Sequence, residues 1–415
     1  MASTHHSPVI VIGAGIIGAS TALHLVEEGF TDITVIDAGS PLSGTTKAGA
    51  GFVARFGADH HRRIGVGAIP LEDYSLGFYR GLHDAGVDIQ FAHNGNIAIA
   101  RSAETLHTLT TGIVEHPQAS PGTRVLDADA VAELTVGAVD AAAVIGGVFM
   151  PEAIQLTTAL ALREILARLE AGGATFSWGT EATGIHLVGG RVTGVDTTSG
   201  FMDAPAVVIA AGAWTPSLLT SVERPLPLIP TVATRFVSVP AGLSPLMPTI
   251  QSLELGLWLR ELGGAFSWGG GFAYRRVSAL EAEEGLRFGF DRPLSPTLIA
   301  QQHAHQATIA EVFPALAGLE TAEIIQGIPV YTADGGLYAG AVPGIDGLWA
   351  LTGDNESGVT HGPGMGKLVA QLIAGSQPYA DPNPFRLDRI DASQFPDEAS
   401  MVAAMQGDRV AKALS

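Results

Sequence analysis

The segment from Val9 to Asp37, VIVIGAGIIGASTALHLVEEGFTDITVID, constrains this chain more than any other. It reads as strand, glycine turn, helix, strand. Val9 to Ile12 are β-branched and apolar, which suits a strand buried on both faces. Gly13, Gly15 and Gly18 then form G-x-G-x-x-G. In such a motif the first glycine permits the tight turn, the second lets a pyrophosphate approach the backbone, and the third lets the helix pack on the strand. Free N–H groups at the helix N-terminus favour phosphate charge. Ile17, Ala22, Leu23 and Val26 supply a buried helix face, and Ile33 to Ile36 form the second strand. Asp37 closes that strand 19 residues after Gly18, where an acid accepts hydrogen bonds from ribose hydroxyls. The bland alternative is a glycine turn that binds nothing. The placement of the acid argues for an adenine dinucleotide site.

Composition narrows the class. A chain of 415 residues forms a large core, and its 47% hydrophobic content excludes a disordered chain. Net charge is −19 and the lysines are Lys47, Lys367 and Lys412. That balance argues against a nucleic-acid partner, which needs a basic face, but not against a small anion held by one arginine. No cysteine is present, so disulfides, zinc–thiolate sites and a cysteinyl cofactor link are excluded. No apolar run reaches the length of a membrane span, and the N-terminus lacks a charged segment and cleavage site. The expectation is a cytoplasmic protein.

The pattern along the chain implies an α/β fold: a Rossmann-like cofactor domain with a second, mainly antiparallel-sheet substrate domain. The cofactor domain is expected from residues 1–90, 145–225 and 325–415, and the substrate domain from 91–144 and 226–324. Thr157 to Glu170 has helical apolar spacing ended by Gly172-Gly173. A meander is expected over 174–178, 182–188 and 191–197, then a buried strand over 206–210. Residues 226–240 are proline-rich and read as a crossover. Residues 256–261 and 265–269 read as antiparallel strands, 293–313 as a helix, and Met365 to Ala374 as an amphipathic helix.

Three motifs in order carry a family resemblance: the N-terminal fingerprint, Ala210 to Trp214 (AAGAW), and the C-terminal pair PVYTADGGLYAG and GDNESGVTHGPGMGKLVAQLI. Together they resemble the flavin-dependent D-amino-acid oxidase superfamily, in its glycine oxidase, sarcosine oxidase and dimethylglycine dehydrogenase branch. TTKAGAGF looks like the small-residue segment that glycine oxidases place beside the isoalloxazine ring. The resemblance implies FAD, and oxidation of an amine or amino acid with O2 or another electron acceptor. The implied cofactor residues are Gly13, Gly15, Ile16, Ile17, Gly18, Asp37 and Ala38, then Thr45, Thr46, Lys47 and Gly51. Ala182, Ala211, Gly212, Trp214, Gly353 and Asp354 follow. The loop from Gly353 to His361 is expected to run into Pro363 and a helix from Gly364, whose N-terminus stabilises negative charge on reduced flavin, and Gly358, Val359 and Thr360 are expected to offer backbone contacts to the pyrimidine side.

Several positions depart from the family pattern. Pro329 stands near the place where covalently flavinylated sarcosine oxidases carry a cysteine. Lys47, Ala48 and Gly49 replace the segment that holds a histidine in dimethylglycine dehydrogenases. Non-covalent FAD is therefore expected. Gly327-Ile328-Pro329 lacks the arginine of the G-x-R-P carboxylate clamp, and Ser267 lies in the strand where sarcosine oxidases have an oxygen-activating lysine.

For substrate contact, Trp258 and Arg260 sit two apart on a predicted strand and share a face. The alternative is a surface arginine beside a half-buried tryptophan. Arg55 is the other clamp candidate, and His361 and Tyr331 flank the C-terminal motifs. His60-His61 with Arg62-Arg63 lacks a regular ligand pattern, and His303 and His305 do not share a helix face; no metal is assigned. The leading function is hydride removal from the carbon next to an amine nitrogen, giving an imine that hydrolyses. The alternatives are an FAD monooxygenase that consumes NAD(P)H, on the strength of the GD…P-x-G-x-G pattern, and a non-catalytic flavin-binding subunit.

Overall fold

Val9–Ile12 forms the middle of a six-stranded sheet in a computed structural model that describes residues 8–55, 65–284 and 295–405. It runs parallel to Ala206–Ile209 on one side and Ile33–Asp37 on the other. Leu348–Thr352 and Thr175–Trp178 extend the parallel sheet outward, and Tyr338–Ala341 closes one edge antiparallel. All four residues of Val9–Ile12 are buried, as layers on both faces of a parallel sheet require. Three helices, Ile16–Glu27, Thr158–Ala171 and Gly358–Ala374, contribute to the core on one face. The last packs very close: a Cβ at Gly364 would lie 2.6 Å from the Leu71 carbonyl oxygen, and one at Gly366 2.7 Å from Thr21 N. Backbones at that distance leave no space for a side chain.

The second sheet is mainly antiparallel. Its order is Thr321–Gly327, Leu228–Ser238, Ala265–Arg276, Leu257–Leu262, Thr249–Ser252, Asn96–Ala100, Gly146–Met150 and Arg124–Asp127. Val330–Thr332 pairs with the start of Leu228–Ser238. The architecture is the α/β class expected, with a dinucleotide-type sheet and an antiparallel one.

Local readings differ in four places. Residues 226–240 are not a crossover: Leu228–Ser238 is a long strand between two partners. Its prolines, Pro225, Pro227 and Pro230, cluster at or before its beginning, and the following TVATRFVSV has the β-branched content of a strand. Thr175–Trp178 belongs to the parallel sheet rather than a meander; the small three-stranded sheet is Ala182–Val188, Arg191–Thr197 and Gly200–Asp203. Gly146–Met150 pairs within the antiparallel sheet, across the boundary drawn at residue 145. The C-terminal helix begins at Gly358, before Pro363. Proline there removes the N–H that would bond Val359 O, and the Tyr79 hydroxyl donates to that oxygen instead, at 2.9 Å.

Two titratable groups, the buried His24 and the partly buried Asp354, brace this packing with opposite pH signatures. His24 Nε2 lies 2.8 Å from the Tyr74 hydroxyl and Nδ1 2.6 Å from Ser20 O. Burial, opposed by the Ser20 bond, lowers its pKa to about 4, so at neutral pH its 3.8 Å approach to Glu27 is no ion pair. Asp354 Oδ1 accepts from Val330 N at 3.2 Å, and burial raises its pKa to about 6. A depressed histidine contributes stability that is present above its unfolded value of 6.5 and lost as pH falls through about 4. A raised carboxyl contributes stability that is present below 3.8 and lost as pH rises through about 6. In urea unfolding against the parent, His24→Gln should therefore lose ground as pH rises from 4 to 6.5, and Asp354→Asn should gain ground over nearly the same interval, each by up to roughly 3 kcal/mol. A pH-independent difference for either variant would rule out that group's linkage.

Candidate active site

One cavity of about 870 Å3 runs from the glycine turn after Val9–Ile12 to the second sheet. Its first end is built by helix geometry. Gly15 is the N-cap of Ile16–Glu27 and supplies no side-chain cap, so first-turn N–H groups need outside partners. Thr46 Oγ1 accepts from Ile16 N at 3.0 Å. Asp37 accepts from Ala14 N through Oδ2 and from Gly39 N through Oδ1, both at 2.8 Å. A carboxylate has about four acceptor sites, so capacity remains for hydroxyl donors.

The three glycines differ in what requires them. A Cβ at Gly13 would sit 2.3 Å from Ala210 O, and one at Gly18 1.9 Å from Gly13 O. Protein packing explains both. A Cβ at Gly15 would meet only Thr46 Oγ1, at 3.5 Å, and Gly15 has φ −69°, ψ 176°, open to any residue. Neither space nor backbone demands glycine there. The space above this glycine is open to a ligand, and a dinucleotide pyrophosphate fits that cradle.

The small-residue segment forms the middle of the wall. Thr45, Thr46, Ala48, Gly49, Ala50, Gly51 and Phe52 line it. Two arginines from the second sheet hold this segment. Arg260 Nη1 donates to Ala50 O, Gly51 O and Leu156 O at 3.0, 3.1 and 3.0 Å, and its Nε donates to Glu261 O at 2.9 Å. Arg235 donates from Nε to Ala48 O and from Nη1 to Ser267 Oγ, both at 2.9 Å. Burial lowers both pKa values to about 10, with mutual repulsion adding to the shift at Arg260. Both remain cationic at neutral pH.

The C-terminal motif closes the far side. Asn355 and Glu356 take positive φ, 46° and 73°, and turn the chain into the helix that starts at Gly358. Asn355 is a brace: its Oδ1 accepts from Thr332 N at 3.0 Å and its Nδ2 donates to Gly353 O at 2.7 Å. Gly358, Val359 and Thr360 line the cavity within the helix's first turn, where N–H groups lack intrahelical acceptors. Tyr274 and Glu356 also line it, with the Tyr274 hydroxyl donating to Glu356 Oε1. Trp258 packs on Phe52, ring centroids 5.8 Å apart.

Most of the expected cofactor residues meet here. Gly13, Gly15, Ile16, Ile17, Asp37, Ala38, Thr45, Thr46, Gly51, Ala182, Ala211, Gly212, Trp214, Asp354, Gly358, Val359 and Thr360 all line the cavity. Gly18, Lys47 and Gly353 do not; Gly18 packs on the turn and Lys47 is exposed. Of the substrate candidates only Trp258 is on the wall. The clamp role expected for Arg260 does not fit its placement, because backbone carbonyls occupy its guanidinium. Arg55 is taken by Asp73, with Nε donating to Oδ1 at 2.9 Å, and by Gln118 O. His361 is buried inside the C-terminal helix, 3.3 Å from Glu72 Oε1 and 3.0 Å from Ser357 O. Tyr331 is buried off the wall, edge-on to Tyr274. His60 to Arg63 lie outside the described residues. Sequence reasoning missed Arg235, Tyr274 and Glu356.

A parallel dinucleotide-type sheet, an antiparallel partner sheet and one cavity spanning both define the architecture of an FAD oxidoreductase. The chain belongs to the FAD dependent oxidoreductase family (DAO), whose model matches residues 8–372. It is 27% identical over 412 residues to 4-methylaminobutanoate oxidase (formaldehyde-forming) of Paenarthrobacter nicotinovorans, covering 94% of this chain and 47% of that protein. The chain thus spans about half the length of that relative. It is also 27% identical over 383 residues to glycine oxidase of Pseudomonas aeruginosa, covering 91% of this chain and 97% of the relative. Among solved structures, L-proline dehydrogenase from P. horikoshii superposes with a TM-score of 0.79 at 19% identity, covering 93% of this chain and 99% of that one. Glycine oxidase from Geobacillus kaustophilus gives 0.77 at 24% identity, with 94% and 100% covered. Among the described residues no helix is long and apolar enough to cross a membrane.

Two substitutions test the site's construction. Gly15→Val should fold with parental stability in the flavin-free form yet purify with little flavin; full flavin occupancy would show that no ligand presses on residue 15. Arg260→Met should leave the buried Leu156 carbonyl and the partly buried Ala50 carbonyl without the donor they have here, each worth roughly 1–3 kcal/mol, while Gly51 O keeps Leu156 N at 2.7 Å. Lower stability and faster flavin loss are expected. Unchanged flavin retention with a changed substrate affinity would instead restore Arg260 as a clamp.

Proposed function

We propose that this chain binds FAD without a covalent bond and oxidises an amine or N-alkyl amino acid at the carbon next to nitrogen. The product is an imine, which hydrolyses in water. The observation that carries this reading is the single cavity joining a dinucleotide cradle to a wall of Trp258, Tyr274, Glu356 and Arg235 from outside the cradle. FAD, when bound, supplies the acceptor for a hydride, and the chain's residues bind and orient. The Gly15 turn and Thr46 suit the pyrophosphate, Asp37 the ribose, and the first turn of Gly358–Ala374 the pyrimidine edge, where fixed N–H dipoles stabilise gained negative charge. Trp258 and Phe52 give an apolar wall that keeps water from the reacting carbon. The chain has no cysteine and no histidine between Gly44 and Phe52, which supports a non-covalent cofactor. The names of the relatives, an oxidase of 4-methylaminobutanoate and an oxidase of glycine, support an amine substrate.

The test starts from the visible spectrum of purified protein. Acid precipitation should release all of the flavin to the supernatant. Anaerobic addition of amines and N-methyl amino acids should bleach the flavin without NAD(P)H. Flavin that stays with the pellet would overturn non-covalent binding, and bleaching by NAD(P)H alone would replace amine oxidation by a monooxygenase.

A further inference from the structure

One turn on the cavity wall carries a residue that the turn does not suit. Ser357 N donates to Asp354 O at 2.7 Å, and the two residues between them, Asn355 and Glu356, have φ of 46° and 73°. Positive φ at both central positions belongs to the turns that favour glycine and asparagine. Asn355 meets that preference. Glu356 does not: a long side chain is strained in the left-handed region, and residues held there concentrate at functional sites.

The Glu356 side chain is fixed from the second sheet. Tyr274, buried in Ala265–Arg276, donates its hydroxyl to Glu356 Oε1, and both residues line the cavity. That bond alone does not call for a carboxylate, because the amide oxygen of a glutamine accepts from the same hydroxyl. What the carboxylate adds is a negative charge, the complement of an ammonium ion. The other acids on the wall stand elsewhere. Asp37 takes Ala14 N and Gly39 N beside the glycine turn, and Glu181 follows Thr180, whose N donates to Asp37 O at that same end. Asp354 lies under Val330 N, its pKa raised to about 6 by burial and, less strongly, by the Glu356 charge. Glu356 is therefore the wall acid joined to the second sheet, two residues ahead of the C-terminal helix.

We propose that Glu356 receives the substrate nitrogen: its carboxylate binds the amine as an ammonium ion and takes a proton from it. The proposal rests on the amine-oxidising reading above and adds the group that prepares the amine. An ammonium nitrogen has no lone pair with which to form a C=N bond, so a hydride cannot leave the neighbouring carbon until one N–H is lost. Burial raises a carboxyl pKa and lowers that of an ammonium, which brings the two together and lets the proton cross. The N–H bond breaks and an O–H bond forms on Glu356. The electron pair stays on nitrogen and becomes the second bond of C=N as the hydride leaves for FAD. Tyr274 is a positioning residue, which fixes the carboxylate at the wall.

The test separates binding from turnover. tert-Butylamine has no hydrogen on the carbon next to nitrogen and cannot be oxidised there; tert-butanol has its shape without the charge. Holoenzyme is titrated with each, followed by the flavin difference spectrum and by calorimetry. The amine should bind and the alcohol should not. Glu356→Gln, which keeps the Tyr274 bond, should match the parent in urea midpoint and flavin content yet weaken amine binding about 100-fold. Glu356→Asp should keep part of the binding, and Tyr274→Phe should weaken it about 10-fold. The titratable groups around Glu356 are Asp354 and His361 on its own segment, Tyr274 and the cationic Arg235 on the second sheet, and Tyr331, edge-on to Tyr274. All of them persist in Glu356→Gln, so a changed pH profile belongs to residue 356. With an oxidisable amine, the rate of anaerobic bleaching should vary little in the parent between about pH 7 and 9, and rise about tenfold per unit in Glu356→Gln, following the free amine. An amine that binds the parent no better than the alcohol, or binds Glu356→Gln as well as the parent, overturns the proposal, and so does an unchanged pH profile. Glu356-dependent amine binding with no bleaching by any amine supports the nitrogen site and overturns the amine-oxidising reading.

Discussion

The seam between the two sheets is held by two arginines that reach from the antiparallel sheet to the backbone of the small-residue segment. Arg260 and Arg235 bond the carbonyls of Ala48, Ala50 and Gly51, and the rest of the site depends on where that segment lies. A stretch of alanine and glycine has no side chains with which to anchor itself. It stays in place only if its polar backbone is satisfied from outside. Arginine suits the task, because one guanidinium offers five N–H donors in a fixed plane and tolerates partial burial better than an ammonium. Gly51 shows how tight the joint is. A Cβ there would lie 2.1 Å from Leu156 O and 2.7 Å from Arg260 Nη1. The middle wall of the cavity therefore belongs to neither sheet alone.

The same joint sets the electrostatics. A chain of net charge −19 presents to its cavity two helix N-termini that their own N-cap residues leave without a side-chain bond, and the Arg235 guanidinium. Each helix end carries about half a positive charge. The positive groups lie at three places: the glycine turn at the start of Ile16–Glu27, the start of the C-terminal helix, and the far wall. Overall acidity and local positive potential are compatible because three of the four acids on the wall are engaged and the fourth, Glu181, is exposed to solvent. Asp37 takes two backbone N–H groups, Asp354 takes Val330 N, and Glu356 takes the Tyr274 hydroxyl. An anionic ligand meets preset donors, and their cost of orientation is met when the protein folds rather than when the ligand binds.

How much of this was legible in the sequence follows from how far apart the partners lie along the chain. The cradle was readable because strand, turn, helix and acid fall within Val9 to Asp37, and local geometry alone fixes their relation. The C-terminal motif was readable in its residues but not its start: Pro363 read as a break, and the Tyr79 hydroxyl that satisfies Val359 O comes from a distant helix. Arg235 was hidden by Pro225, Pro227 and Pro230, which made a central strand look like a connection.

Arg260 shows the limit more sharply. Its spacing from Trp258 correctly puts both side chains on one face, but period two says nothing about what covers that face. The covering is set by register between strands. Ser267 pairs with both Arg260 and Val237, so three consecutive strands bring Arg260, Ser267 and Arg235 into one neighbourhood. There Ser267 Oγ accepts from Arg235, while Arg260 turns to the 50–51 carbonyls. Two arginines 25 positions apart thus both brace the small-residue segment, and Arg235 alone of the two also lines the cavity. The sequence shows Arg260 on a strand and Arg235 on what reads as a connection; only the pairing of the strands decides which one the cavity receives.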